Sequence, residues 1–308
     1  MKTFNYIWCF LQFSLVTCLS ITQKRLHLAK RLGAKSNELI GCVQMVGEEG
    51  HYVYESLGSN QVCGLYVIAK PDQLVKIEFT HFNVQCHRGG LVAVVDGWEA
   101  QGQFFPSEFD SEIPLEDRYS TLCGQRRTEE IYVSSQNVAL IQSRIPSPGQ
   151  GFSVTISFIK NMQPCNVVSM YEAGTMTISN FGMRRNCSVS IIYPQKIRIT
   201  EVDVAQSTRY PPLPTPKLFQ KFLQNRECDL QAEDYVELLD GSGLDPSYMW
   251  QDGVLCGLHT NSGPATYYLG CSHSVVRLVS SGNYFNSVTF KHMKLNALEE
   301  KLLAGLEC

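Results

Sequence analysis

The chain has 308 residues, a formal net charge of −3 and 44% hydrophobic residues. That apolar content supports packed cores, and the length is enough for two of them. Acidic and basic residues are interspersed with no basic stripe, so charge points to no nucleic acid and names no other partner class.

The chain opens with MKTFNYIWCFLQFSLVTCLS: a lysine at position 2, an apolar run from Tyr6 to Leu19 and small residues near Ser20. The run is short and is interrupted by Gln12, Ser14 and Thr17. It reads as a secretory signal peptide (residues 1–20) rather than a membrane anchor, which needs about 20 apolar residues. No later run is long enough to span a bilayer, so the mature chain is expected to be secreted and extracellular, with no membrane anchor. Cys9 and Cys18 leave with the signal. The ten remaining cysteines form an even set, which in an oxidising compartment reads as five disulfides. None of them has the close CxxC spacing of a zinc site.

After an N-terminal segment (21–36), two stretches echo each other. Cys42 and Cys63 are followed by CGLYVIAKPDQLVKIEFTHF, and Cys165 and Cys187 by CSVSIIYPQKIRITEVDV. Both read as strand, proline turn, strand, with Val75, Ile77 and Phe79 alternating in one copy and Ile197 and Ile199 in the other. A third cysteine then leads to CHRGGLVAVVDGW from Cys86 and CDLQAEDYVELLDGSG from Cys228, each an apolar strand ending in Asp-Gly, a dipeptide suited to a tight turn. A fourth cysteine and a closing strand pair finish each copy. The reading is therefore all-β: two homologous domains, 37–160 and 161–293, and a tail, 294–308. The duplicated frame selects the pairs Cys42 with Cys63, Cys86 with Cys123, Cys165 with Cys187 and Cys228 with Cys256. Cys271 is left to pair with Cys308, pinning a tail in which Leu295, Leu298 and Leu302 share one face of a short helix. The second copy carries a proline-rich insertion, 205–227.

Catalytic chemistry has no motif here: no GxSxG, no HExxH and no phosphate loop. The histidines lack ligand spacing, and no cofactor is implied. The acidic cluster Asp229, Glu233, Asp234, Glu237 and Asp240 lacks the EF-hand pattern. Alternation puts Glu237 on a solvated strand face, and the cluster is read as strand and turn with no metal.

The frame of cysteines, the phrases VKIEFTHFNVQC, DYVELLDG and GQGFSV, and the closing strand pair resemble the CUB domain, which implies two tandem jelly-roll-like β-sandwiches. That resemblance also names a calcium site, for which Asp234 is in place while the loop SSGN has no aspartate and Glu201 and Asp203 are cut off by the insertion. With the ten cysteines, the phrases VVDGW, SSQNVA, PGQGF, PCNVVS, RNCSVSIIYP, DYVELLDGSGLDPSYM and VVRLVSSG resemble the corticotropin-releasing factor-binding protein family over Cys42 to Cys308. The resemblance implies a secreted non-enzymatic carrier that sequesters peptide hormones of the corticotropin-releasing factor and urocortin type. In an invertebrate member these would be their diuretic-hormone relatives. Through its phrase RNCS it also implies glycosylation at Asn186, in the N-x-S sequon Asn186-Cys187-Ser188. The competing reading is a calcium-dependent CUB-type adhesion or complex-forming protein. The sequence assigns no oligomeric state.

Peptide capture needs apolar surface for an amphipathic helix. The long connection DGWEAQGQFFPSEFDSEIPLEDRY offers Trp98, Phe104, Phe105, Phe109 and Tyr119, and HYVYES adds Tyr52 and Tyr54. These are the candidate peptide-binding residues. The rival expectation is that they cap the open end of the first sandwich.

Overall fold

The computed structural model describes residues 36–126, 130–205, 233–260, 266–303 and 308. The signal peptide, the segment 21–35, Cys228 and the insertion from 206 to 227 lie outside the described residues.

Strands are numbered in chain order. One sheet of the first sandwich runs β1 (Ser36–Glu38), β3 (Gly50–Glu55), β13 (Gly151–Lys160), β5 (Gln73–Val84), β10 (Gly124–Arg126), with β11 (Ile131–Val133) also on β5. The other runs β2 (Val43–Val46), β4 (Val62–Ile68), β12 (Val138–Arg144), β6 (Leu91–Asp96), β9 (Tyr119–Leu122). A hairpin of β7 (Trp98–Ala100) and β8 (Gln103–Phe105) stands apart. The second sandwich repeats this plan. Its sheets run β14 (Val167–Ser169), β16 (Cys187–Ile191), β22 (His273–Val279), β18 (Tyr235–Gly241), β19 (Trp250–Leu255), and β15 (Ala173–Ser179), β23 (Ser287–Lys294), β17 (Gln195–Val204), β20 (Gly257–Thr260), with β21 (Tyr267–Leu269) on β17. The all-β, two-sandwich architecture agrees with the sequence reading.

The long strands show why the sequence alternates as it does. In β5 the buried residues are Val75, Ile77 and Phe79, then Phe82 and Val84, so the phase slips by one between Phe79 and Phe82. The slip is a bulge: Ser153 pairs with His81 and Val154 with Phe79, leaving Thr80 over. In β17 the buried set is Ile197 and Ile199, then Val202 and Val204, and Thr200 is the extra residue. Each threonine hydroxyl donates across the gap, Thr80 to the Ser153 carbonyl at 3.3 Å and Thr200 to the Thr289 carbonyl at 3.0 Å.

Cys42 is bonded to Cys63, Cys86 to Cys123, Cys165 to Cys187 and Cys271 to Cys308. Cys256 is also in a disulfide. The Asp-Gly signals differ in use. Gly97 has φ 109°, and a Cβ there would strike the Phe105 carbonyl and the Arg118 guanidinium. Gly241 is not among the positive-φ glycines; a Cβ on it would lie 2.6 Å from Met249 Cγ, so packing rather than a turn excludes a side chain. The tail helix, α1 (Ala297–Leu303), begins later than the leucine spacing suggests. Leu295 is buried ahead of it, whereas Leu298 and Leu302 are exposed. Asn296 caps the helix, accepting from Leu298 N and Glu299 N at 3.0 Å, while Glu299 accepts from Asn296 N.

Candidate functional site

The connection after β6 forms a joint between the sandwiches. The hairpin turns on Gln101 (φ 55°) and Gly102 (φ 78°), the positive angles of a type I′ turn. Its inner residues Trp98 and Phe105 pair across the ribbon and are buried against Ile68, Val95, Val138 and Leu140, with Val168 of β14 in the same cluster. Trp98 Nε1 donates to Val67 O and Ala139 O at 3.1 and 3.2 Å. Buried Arg118 donates to the carbonyls of Asp96 and Pro106, and burial lowers its pKa from the usual arginine value although Asp96 opposes the shift.

Side-chain amides sew the two sandwiches together. Asn137 Nδ2 donates to Val168 O at 2.8 Å and its Oδ1 accepts from Val168 N at 2.9 Å, as a strand neighbour would. Asn166 Nδ2 reaches Asp110 O at 2.9 Å, and its Oδ1 accepts from Ser188 N and Oγ. Arg277 of β22 donates to both oxygens of buried Asp110, its Nη2 at 2.6 Å from Oδ1, and to Glu237 at 2.7 Å. Burial lowers the Arg277 pKa, but the two carboxylates outweigh it and raise it above the ordinary arginine value, so the guanidinium stays charged. Gln103 closes the seam by accepting from Leu244 N at 2.9 Å.

The outer face of the sheet β2-β4-β12-β6-β9 grades from this joint to open solvent. One row across it is Met45, Tyr66, Leu140, Val95, Tyr119, mostly covered; the next is Val43, Gly64, Gln142, Ala93, Thr121. Beyond them lie Val62, Arg144 and Leu91. Val43 is 69% exposed, Val62 62% and Met45 49%, so an apolar strip of these three stands uncovered beside the hairpin, with exposed Leu91 set apart from it by Arg144. The hairpin wall is held by Glu99: its carbonyl accepts from the Tyr66 hydroxyl at 2.7 Å and its carboxylate from Gly102 N and Gln142 Nε2. Phe104 and Tyr119 stack edge to face at 6.4 Å, and Tyr119 borders an open depression with Glu108, Leu115 and Glu116. Burial, then the Glu99 charge, raises the Tyr66 and Tyr119 pKa values, keeping both phenols neutral.

The sequence-selected aromatics therefore divide. Trp98 and Phe105 lie in the joint core, and Tyr52 is buried in the first sandwich with its hydroxyl on Glu48 O. Phe104, Tyr119 and Tyr54 are half-buried, and Phe109 is exposed. The apolar strip itself was missed by sequence reasoning; its signal is VCGLYVI, whose outward residues Val62, Gly64 and Tyr66 alternate with buried ones. Asn186 sits half-buried at the seam, its Nδ2 3.3 Å from Phe109 O. Among the acidic cluster, Asp234 is buried and accepts from Ser281 N and Oγ, Ser280 Oγ and Asn286 Nδ2. Glu237 faces the joint and pairs with Arg277, where alternation suggested solvent. No group of three or more metal-ligating side chains is found among the described residues.

Two family descriptions match the chain: the corticotropin-releasing factor binding protein N-terminal domain over residues 36–160, and the C-terminal domain of the same protein over residues 167–301. Curated relatives include the corticotropin-releasing factor-binding protein of Xenopus laevis, 38% identical over 84% of this chain and 78% of that one. The Ovis aries and Homo sapiens proteins of that name are 35% and 34% identical, each over 84% of this chain and 76% of theirs. Among solved structures, the chain is similar to the CUB1-EGF-CUB2 domain of human MASP-1/3, at 12% identity and TM-score 0.26 over 80% of this chain and 99% of that one. The full extracellular region of zebrafish Gpr126/Adgrg6 is matched at 12% identity and TM-score 0.30, over 87% and 39%.

Proposed function

The chain belongs to the corticotropin-releasing factor-binding protein family, and from that membership we propose that it is a secreted, non-catalytic carrier of peptide hormones of the corticotropin-releasing factor, urocortin or diuretic-hormone type. The observation that carries the mechanism is the uncovered apolar strip of Val43, Met45 and Val62 beside the half-buried rings of Tyr66, Phe104 and Tyr119. A disordered hormone folds as an amphipathic helix on this strip, burying its apolar face, and receptor access falls by mass action as free peptide is depleted. Glu108 and Glu116, beside Tyr119, suit basic residues on the helix flank.

Isothermal calorimetry against corticotropin-releasing-factor-like peptides tests the carrier reading, and no binding at micromolar concentration would remove it. The double substitution Met45→Glu, Val62→Glu tests the surface. Both residues are largely exposed, so folding should change little, whereas affinity should fall about tenfold or more. Unchanged affinity would move the peptide elsewhere. The calcium-dependent alternative is not favoured, because the Asp234 oxygens already accept four protein donors. A rise in unfolding temperature on calcium addition would revive it.

A further inference from the structure

The two sandwiches differ at one edge. In the first, β3 is covered by β1 in parallel, with Asn37 opposite Tyr52 and Glu38 opposite Val53, and Leu39 N donates to Val53 O at 2.9 Å. Leu39 and Tyr52 are buried there, and the space remaining between β2 and β3 is only ≈ 10 Å³. In the second, the equivalent β15 ends its sheet among the described residues, and a cleft of ≈ 360 Å³ opens between β14 and β15.

The shared bulge fixes the correspondence residue by residue. Ser153 and Thr289 both lie at the shift, so Gly50, Tyr52, Val53 and Ile156 correspond to Gly174, Met176, Thr177 and His292. Two differences empty the cleft. Met176 replaces the tyrosine ring, and Leu39 has no counterpart among the described residues, because the chain reaches Cys165 through Asn161–Pro164 without a strand. A third makes it polar at one point. His292, where the first sandwich has an isoleucine, is 3% exposed, with Nδ1 3.3 Å from Gln195 Oε1 and Nε2 without a partner among the described residues. That Nε2 lies 2.9 Å from where a Cβ on Gly174 would be; in the first sandwich the Asn37 amide nitrogen lies 3.3 Å from the matching point over Gly50.

We propose that the outer edge of β15 is a docking site for an extended segment of another polypeptide. The segment lies parallel to β15, with a hydrogen-bonding side chain over Gly174 beside His292 Nε2 and a leucine-sized side chain two residues later in the cleft. Unpaired strand-edge groups supply affinity and the cleft supplies specificity. The edge AGTMTIS has no charge and no proline, the usual protections of an exposed strand. The cleft is continuous with the joint between the sandwiches: Lys70, Pro71 and Asp72 of the first form one wall, and Val167, beside Val168 of the joint cluster, belongs to another. The inference does not depend on the hormone reading.

The probe is a fluorescein-labelled peptide of residues 34–41, AKSNELIG, added to the full chain. Saturable binding should protect the amides of 173–179 from hydrogen exchange. Met176→Tyr restores the plug of the first sandwich and should weaken binding about tenfold or more, the worth of one buried aliphatic side chain. If that variant fails to fold, His292→Ile carries the test: affinity for the probe should fall, while affinity for an Asn37→Ala probe should not. No saturable binding at millimolar probe, protection appearing at 50–55 instead, or equal affinity in Met176→Tyr and His292→Ile would overturn the proposal. So would a protein dimer that Met176→Tyr dissolves, since the occupant would then be a second copy of the chain.

Discussion

Arg277 and Gln142 occupy the same place in the two sandwiches, one flanked by Ser188 and Glu237 and the other by Gly64 and Ala93, yet their surroundings are opposites. Around Arg277 the sheet face is charged and covered, with Asp110 reaching it from the other sandwich. Around Gln142 the face carries only the Glu99 carboxylate of the hairpin and the exposed Arg144, and away from the hairpin it is open. Duplication supplies two equal surfaces, and one long connection, Gly97 to Arg118, decides which is spent on the joint and which stays free for a ligand. The backbone plan is common to both copies; the functional difference lies in what covers each face.

The sharpest way to break this contrast is Arg277→Ala. It would leave Asp110, whose side chain is 1% exposed, and Glu237 without their cation, at a cost of about 3–5 kcal/mol for a buried pair broken on one side. Gln142→Ala should cost less, about 1–2 kcal/mol, since it loses one partly exposed bond to the Glu99 carboxylate and leaves no buried charge behind. Urea unfolding midpoints of the two variants measure the difference. Equal losses would mean that the covered and open faces are energetically alike.

Much of this plan was legible in the sequence, because cysteine spacing and period-two alternation are local signals. SSQNVA and PCNVVS carried the family resemblance, and their asparagines Asn137 and Asn166 turn out to be the stitches of the joint. For Trp98 and Phe105 the sequence leaves two expectations open, loop anchors among acids or a cap on the end of the first sandwich. Their burial comes from β4, β12 and the second sandwich, contacts that no local pattern encodes. Val43 and Val62 have no sequence signal that separates them from core: a valine in an alternating strand looks the same whether or not something covers it. Glu237 was placed in solvent by alternation, which gives the face correctly but not the Asp110 loop and Arg277 that close over it.

A second contrast concerns acid. His292 stands where the first sandwich has Ile156, and burial lowers its pKa below the usual 6.5, as it does for His273. Lys70 and Asp72 line the same cleft. The unfolded chain takes up protons near pH 6.5 and the folded rings only below that. The unfolded state is therefore favoured as pH falls from about 6.5 through the folded values, by up to about 1.4 kcal/mol per pH unit per ring. Stability should be full above that window, and His292→Ile should flatten the slope within it. Thermal unfolding between pH 7 and pH 5 reads the effect; an unchanged slope would show that the ring is already solvated.

The smallest test asks whether the shared bulge is worth the same in both copies. Without the extra residue, Phe82 and Val84 in one strand and Val202 and Val204 in the other would turn to the opposite face, so the insertion is what lets one strand feed a single core along its whole length. Thr80→Val and Thr200→Val keep the branched shape and remove only the hydroxyl, each costing about 1 kcal/mol. Thr80 should cost slightly more, because its hydroxyl also lies 2.9 Å from Ser153 Oγ, whereas Thr200 has the carbonyl of Thr289 alone. The sites belong to separate cores, so the double variant should be additive to within about 0.5 kcal/mol in chemical denaturation. A larger coupling would mean that the joint transmits strain from one sandwich to the other, and that the two copies unfold as one unit rather than two.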